Sequence, residues 1–172
     1  MIILGIDPGL ATVGFGVVRF ELQRFATLTY GTINTPAKMP VPERLQMIYS
    51  GLQKLIDMYK PTDLVVEEIF FNTNQKTIIT VSEARGVILL AAQRNKLYID
   101  EYTPLQVKQS VVGYGRAEKI QVMTMVKNIL NLKKMPRPDD AADALAIAIC
   151  HAHSKANKLR LGGSEERAIA KP

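Results

Sequence analysis

The spacing of apolar residues changes several times along the chain, and each change predicts an element. Residues 2–6 are a short apolar run of mainly β-branched residues that stops at Asp7-Pro8-Gly9. This is the pattern of a buried strand closed by a turn. Residues 12–21 and 24–35 are rich in Val, Phe, Tyr and Thr and predict two further strands in meander order. A proline-punctuated loop spans 36–42. From Glu43 the period lengthens, and Leu45, Ile48, Leu52, Leu55, Ile56 and Tyr59 fall on one helical face before Pro61. Leu64-Val65-Val66 is a short apolar strand running into Glu67-Glu68.

Residues 69–76 read as a loop and 77–95 as a long helix, with Ile78, Val81, Ala84, Val87, Ile88 and Ala91 on one side. Ile79, Leu89 and Leu90 fall off that face, so the helix is apolar on more than one side. A two-fold interface and packing within the chain each explain that. Residues 97–102 are strand-like, 104–112 open a helix at a proline first turn, and Gly113-Tyr114-Gly115 breaks it. Residues 117–132 are amphipathic and helical. Pro136 and Pro138 close the next loop, and 139–154 form a final helix. The polar, Gly/Ser/charge-rich stretch 155–172 is expected as a disordered tail. Three strands followed by alternating helices and strands predict an α/β fold. The expectation is a five-stranded mixed sheet flanked by helices, with 1–154 as one domain.

Composition narrows the class. A chain of 172 residues suits one domain with a sizeable core, and 47% hydrophobic with 22% charged residues argues against general disorder. No run approaches the ~18 apolar residues of a membrane helix. No positive segment precedes the first charged residue, Asp7, as a secretory signal would require. The single cysteine, Cys150, allows neither an internal disulfide nor a zinc cluster. The expectation is a cytoplasmic protein without a membrane partner. The net charge of +6 lies entirely in residues 104–137, with seven Lys or Arg against one acid. A localised basic surface beside a neutral body points to a polyanion, although a solvated helical face has the same charge pattern.

Four acids stand in unfavourable places. Asp7 and Glu67 end apolar strands, and Asp140 and Asp143 share a face at the start of the last helix. Each has an ordinary explanation by itself. Asp favours turn starts, a Glu-Glu pair can be a solvated strand end, and carboxylates at a helix N-terminus are stabilised by ~0.3–1 kcal/mol. Asp139 is read in that last way, as a cap. Alternation puts Glu67 and Glu68 on opposite faces without saying which faces Asp7. Together the four form a constellation. Carboxylates at buried strand ends are costly unless hydrogen-bonded or bound to a cation. Hard oxygen donors suit Mg²⁺ or Mn²⁺, and two such ions ~3.5–4 Å apart can align the attacking water and leaving oxygen of a phosphodiester. Asp7, on the central strand, is then the expected bridge.

Several ordered motifs make the chain resemble the RuvC family of bacterial Holliday-junction resolvases, endonucleases with an RNase H-like fold. They are Ile3-Leu4-Gly5-Ile6-Asp7-Pro8-Gly9, Ala84-Arg85-Gly86-Val87, Gln106-Val107-Lys108-Gln109-Ser110-Val111-Val112-Gly113, Ala117-Glu118-Lys119 and Asp140-Ala141-Ala142-Asp143-Ala144-Leu145-Ala146-Ile147-Ala148. The resemblance runs from about residue 2 to residue 153. It implies that Asp7, Glu67, Asp140 and Asp143 are catalytic, metal-binding acids holding two Mg²⁺ ions, with Mn²⁺ able to substitute. It selects Glu67 over Glu68. It further implies a homodimer making paired nicks at four-way junction DNA, in recombination and repair, with a RuvA-RuvB branch-migration complex as partner. Lys108 and Lys119 match basic positions used on DNA, and Phe70 matches a residue set against bases near the cut. Phe71 reads as core or as a second such aromatic, and Arg116 as an added phosphate contact or a neutral change.

Three other readings stay in view. Gly5-Ile6-Asp7-Pro8-Gly9 with Thr12 and Gly14-Phe15-Gly16 resembles the first phosphate loop of actin-like ATPases, but the chain lacks length for two such domains and a second phosphate loop. A junction-binding module without catalysis would keep the acids as structure. A relative could act on another structured nucleic acid. His151 and His153 are not read as metal ligands, because i,i+2 points them to different faces; both are expected near an exposed helix end. Cys150 is expected as a small buried residue.

Overall fold

The computed structural model describes the backbone of residues 1–68 and 75–169 and the side chains of 1–68 and 78–157. Five strands and five helices follow in the order β1 (Ile2–Asp7), β2 (Thr12–Glu21), β3 (Arg24–Asn34), α1 (Val41–Tyr59), β4 (Asp63–Glu67), α2 (Gln75–Arg94), β5 (Tyr98–Tyr102), α3 (Pro104–Val112), α4 (Lys119–Ile129) and α5 (Asp139–Ile169). The sheet order is β3-β2-β1-β4-β5. β1–β2 and β2–β3 are antiparallel, while β1–β4 and β4–β5 are parallel. Short turns suffice for the antiparallel pairs, and α1 and α2 supply the crossovers that the parallel pairs need. The expected mixed five-stranded sheet is therefore present, with β1 at its centre.

Strand alternation divides the core in two. Leu4, Ile6, Val13, Val17, Leu64 and Val66 face α1 and α2. Ile3, Val18, Phe20 and Val65 face α3, α4 and α5. On this second face α5 lies very close to the sheet. A Cβ added to Gly5 would stand 2.2 Å from the carbonyl oxygen of Ala144, and one added to Gly14 would stand 2.1 Å from that of Asp140. One added to Gly16 would come within 2.7 Å of the Leu145 side chain. Gly5 pairs with Gly16 and Asp7 with Gly14 across β1–β2. Three glycines thus form a floor on which an alanine-rich helix rests.

Most element edges differ from expectation by a few residues, and the end of α5 by more. α1 begins at Val41, two residues before Glu43, because Pro42 is tolerated in a first turn. It ends at Lys60, which takes the left-handed conformation (φ 48°) before Pro61. α2 begins at Gln75 rather than residue 77, and α4 spans less than the expected 117–132. α5 runs on to Ile169, past the expected end at 154. Ala156 is buried in the core on the α5 side of the sheet, so burial of its small side chain carries the helix over a boundary that composition alone suggested. Asp139, expected as a cap, opens α5; its carboxylate accepts from Arg137 at 2.8 Å instead.

Replacing Gly5 with Val puts side-chain atoms into the backbone of α5. Urea denaturation is expected to show a loss of about 3 kcal/mol with reduced helix content, whereas unchanged stability would mean that α5 does not rest on this floor.

Candidate active site

Asp7 is the last residue of the central strand and Glu67 the last of its parallel neighbour. Register pairs Ile6 with Val66, which brings the two carboxylates to the same sheet edge. Alternation now decides between the glutamates. Val66 belongs to the α1–α2 side and Val65 to the α5 side, so Glu67 shares the α5 side with Asp7 and Glu68 does not. Asp140 lies in the first turn of α5, its backbone pressed against Gly14, the cross-strand partner of Asp7. Asp143 follows three residues later. A cavity of about 330 Å³ opens here, lined by Asp7, Glu67, Lys108, Lys119 and Asp143 together with Pro104, Val107, Val122, Ala146 and Ile147.

The electrostatics show crowding. Burial first, and then the charges of Glu67, Asp143 and Asp140, push the Asp7 carboxyl up to about 8, with Lys119 opposing. Burial and Asp143 push Glu67 up to about 7, against the lowering charges of Lys108 and Lys119. Burial also raises Asp143, although Lys119 works the other way. Among the described residues no three ligating side chains already close on one point. What the fold builds is a set of carboxylates whose repulsion its own cations only partly relieve.

The basic residues stand on the wall of the same cavity. Lys119, at the start of α4, sets its ammonium 3.0 Å from Asp143 and 3.5 Å from Asp139. Lys108 projects from α3, which ends at Gly113 with φ 95°. Arg116 is exposed on the connection from α3 to α4. Phe70 and Phe71 lie outside the described residues.

Two features escaped the sequence reading. The glycine floor was visible only as a resemblance to a phosphate loop; its role is close approach of a helix. His151 is not near an exposed end but fully buried. Its Nε2 lies 3.1 Å from Asp63 and its Nδ1 3.0 Å from the Tyr102 hydroxyl. Asp63 opens the buried strand β4, and its position there had the same oddity as Glu67 at the other end. His153 does point elsewhere, 3.2 Å from the Ser110 hydroxyl, and Cys150 is buried as expected.

The sheet order, with acids at the ends of its central parallel strands, defines an RNase H-like protein. Residues 3–151 match the family model described as crossover junction endodeoxyribonuclease RuvC. Proteins of that name from Syntrophomonas wolfei and Alkaliphilus oremlandii are 60% and 58% identical over 154 residues, covering 90% of this chain and 90% and 94% of theirs. Thermus thermophilus RuvC, solved in complex with a Holliday junction substrate, superposes with a TM-score of 0.84 at 37% identity, covering 88% of this chain and 93% of that one. The chain belongs to the RuvC family.

A carboxyl whose pKa is higher folded than unfolded holds its proton more tightly in the native state. Its contribution to stability is complete below the unfolded value and lost as pH rises through the folded one. For Asp7 and Glu67 that window runs from about 4 up to 7 or 8. In chelator, the melting temperature followed by circular dichroism is expected to fall across this window, and less steeply in Asp7→Asn.

Proposed function

We propose that this chain is a structure-selective endonuclease that resolves four-way DNA junctions by paired, symmetric phosphodiester hydrolysis. The observation that carries the reading is the meeting of Asp7, Glu67 and Asp143 in one cavity whose wall bears Lys108 and Lys119. Asp140 adds its charge from the adjoining turn of α5.

The donor set fits divalent metal. All four are hard oxygen donors, and Asp7 and Glu67 are raised by burial first and then by the carboxylates beside them, both of which a bound cation would offset. Two Mg²⁺ ions, replaceable by Mn²⁺, would supply the Lewis acidity that activates water and stabilises the departing 3′-oxygen. Asp7 is central among the acids, with Glu67 on one side and the α5 pair on the other. Lys108 and Lys119 take backbone phosphates, of which duplex DNA offers one per ~1.7 Å. Lys119 can exchange its carboxylate partners for a phosphate, which frees Asp143 as it binds DNA. Phe70 is assigned to stacking against bases at the cut and Arg116 to a peripheral phosphate contact.

A homodimer suits two symmetric cuts. Ile79 and Leu90 are 67% and 53% exposed on α2, and the position of Gly86 between them has open space around it. That face supports two-fold pairing. The RuvA-RuvB motor is the proposed source of the junction, and the cytoplasm the proposed compartment; no described helix is long and apolar enough to cross a membrane.

The decisive experiment incubates a labelled synthetic four-way junction with and without Mg²⁺, beside linear and forked duplexes. Symmetric nicks only with metal and only on the junction are expected; an intact junction overturns the reading. Asp7→Asn is expected to abolish nicking and leave junction binding unchanged, since phosphate contacts carry affinity. For Lys119→Ala, a salt titration should give a log–log slope shallower by about 1; the parent slope would remove Lys119 from the DNA contacts.

A further inference from the structure

The start of α5 meets the central strands through close apolar and backbone contacts. Gly5 faces Ala144 and Ala148, Gly14 faces the backbone of Asp140, and Gly16 faces the side chain of Leu145. Apolar packing of this kind sets the distance between helix and sheet but is not directional. Yet the acid cluster needs α5 at one setting. A directional contact lies further along α5, at the other end of β4. Asp63, 4% exposed, begins the strand that Glu67 ends, and His151 follows Asp143 by eight residues on α5.

The spacing matches. Four residues of strand advance ~13 Å, and eight residues of helix advance ~12 Å. With His151 fixed on Asp63, Asp143 therefore arrives level with Glu67. The network around this contact is dense. An ionised carboxylate only accepts, so His151 donates from Nε2 to Asp63, while its Nδ1 pairs with the hydroxyl of Tyr102 on β5, which also lies 3.3 Å from Asp100. One turn further along α5, Lys155 reaches Asp63 at 3.2 Å while lying 3.6 Å from the ring centroid of Tyr98. Thr62 also donates to Asp63. Burial would raise the Asp63 carboxyl, but the hydrogen bonds from His151, Thr62 and Lys155 outweigh it and bring it to about 2. Buried ionic networks are poor sources of net stability compared with apolar packing, and geometric specificity is their better-attested use.

We propose that Asp63, His151 and Tyr102 are positioning residues that fix the registry of α5 on β4 and β5, and so set the divalent-metal affinity of the acid cluster at the other end. The inference rests on the metal-site reading above. None of the three touches substrate or metal.

The test measures Mn²⁺ binding to the full chain without DNA, by the electron paramagnetic resonance signal of free Mn²⁺. Ligand-orienting partners commonly change metal affinity by 10–100-fold. His151→Phe, which keeps the ring and loses both hydrogen bonds, is expected to unfold cooperatively in urea yet bind Mn²⁺ about tenfold more weakly. Its junction cleavage should fall at limiting metal and recover at excess, with junction affinity unchanged. His151→Gln, whose amide can donate to Asp63 and still pair with the Tyr102 hydroxyl, is expected to restore most of the affinity. Parent-like Mn²⁺ binding by a folded His151→Phe overturns the proposal. Should that variant fail to fold, Asp63→Asn decides, and parent-like binding there overturns it equally. If the parent itself neither binds Mn²⁺ nor cuts, the metal-site reading falls and takes this inference with it. If the parent does both and the variants match it, this inference alone falls.

Discussion

The closeness of α5 to the central strands is the constraint on which the site depends. Carboxylates on α5 can reach Asp7 only if the helix backbone touches the sheet, and it does so over Gly5, Gly14 and Gly16. Any side chain at these positions would lift the helix by the width of a methyl group or more. The same contact seats Asp140 against Gly14, directly beside the strand partner of Asp7. Position of charge and absence of side chain are thus two halves of one arrangement.

Such closeness has an electrostatic cost that the fold carries in reserve. Asp7 and Glu67 are pushed far above ordinary carboxyl values by burial and then by neighbouring carboxylates, Asp143 acting on both. The core on both faces of the sheet, anchored by fully buried Ile3, Leu4, Ile6, Leu64 and Leu145, outweighs that repulsion. A site of this kind stores unfavourable charge until a cation arrives, which is how local destabilisation becomes ligand affinity. Lys119 provides partial relief in the meantime, holding Asp143 and Asp139.

The basic segment and the acid cluster are arranged as complements. The excess charge of residues 104–137 is spread over α3, α4 and the connections beside them, and Lys108 and Lys119 of these helices meet the acids across one cavity. A polyanion drawn to the lysines is thereby delivered to the carboxylates, which would repel it alone. Further along α5 the pairing of charge is of another kind: Asp63 and His151 are partnered and buried, with the half-buried Lys155 beside them. One helix therefore carries exposed chemistry at its start and buried geometry further along.

The sequence by itself determined the strand and helix order, the central place of β1, and the oddity of Asp7, Glu67, Asp140 and Asp143, because period and turn chemistry are local properties. A family resemblance then singled out Glu67. It misjudged His151 and overlooked Asp63, since a histidine near the end of a polar helix looks solvated until the partner 88 residues away is known. It could not separate Glu67 from Glu68 physically, because alternation gives two faces and only packing of Val65 and Val66 against different helices names them. Nor could spacing explain the glycines, whose meaning is the nearness of a helix more than a hundred residues later. Local propensity writes the elements; which groups become neighbours across the sheet is decided only when side chains from distant segments compete for the same space.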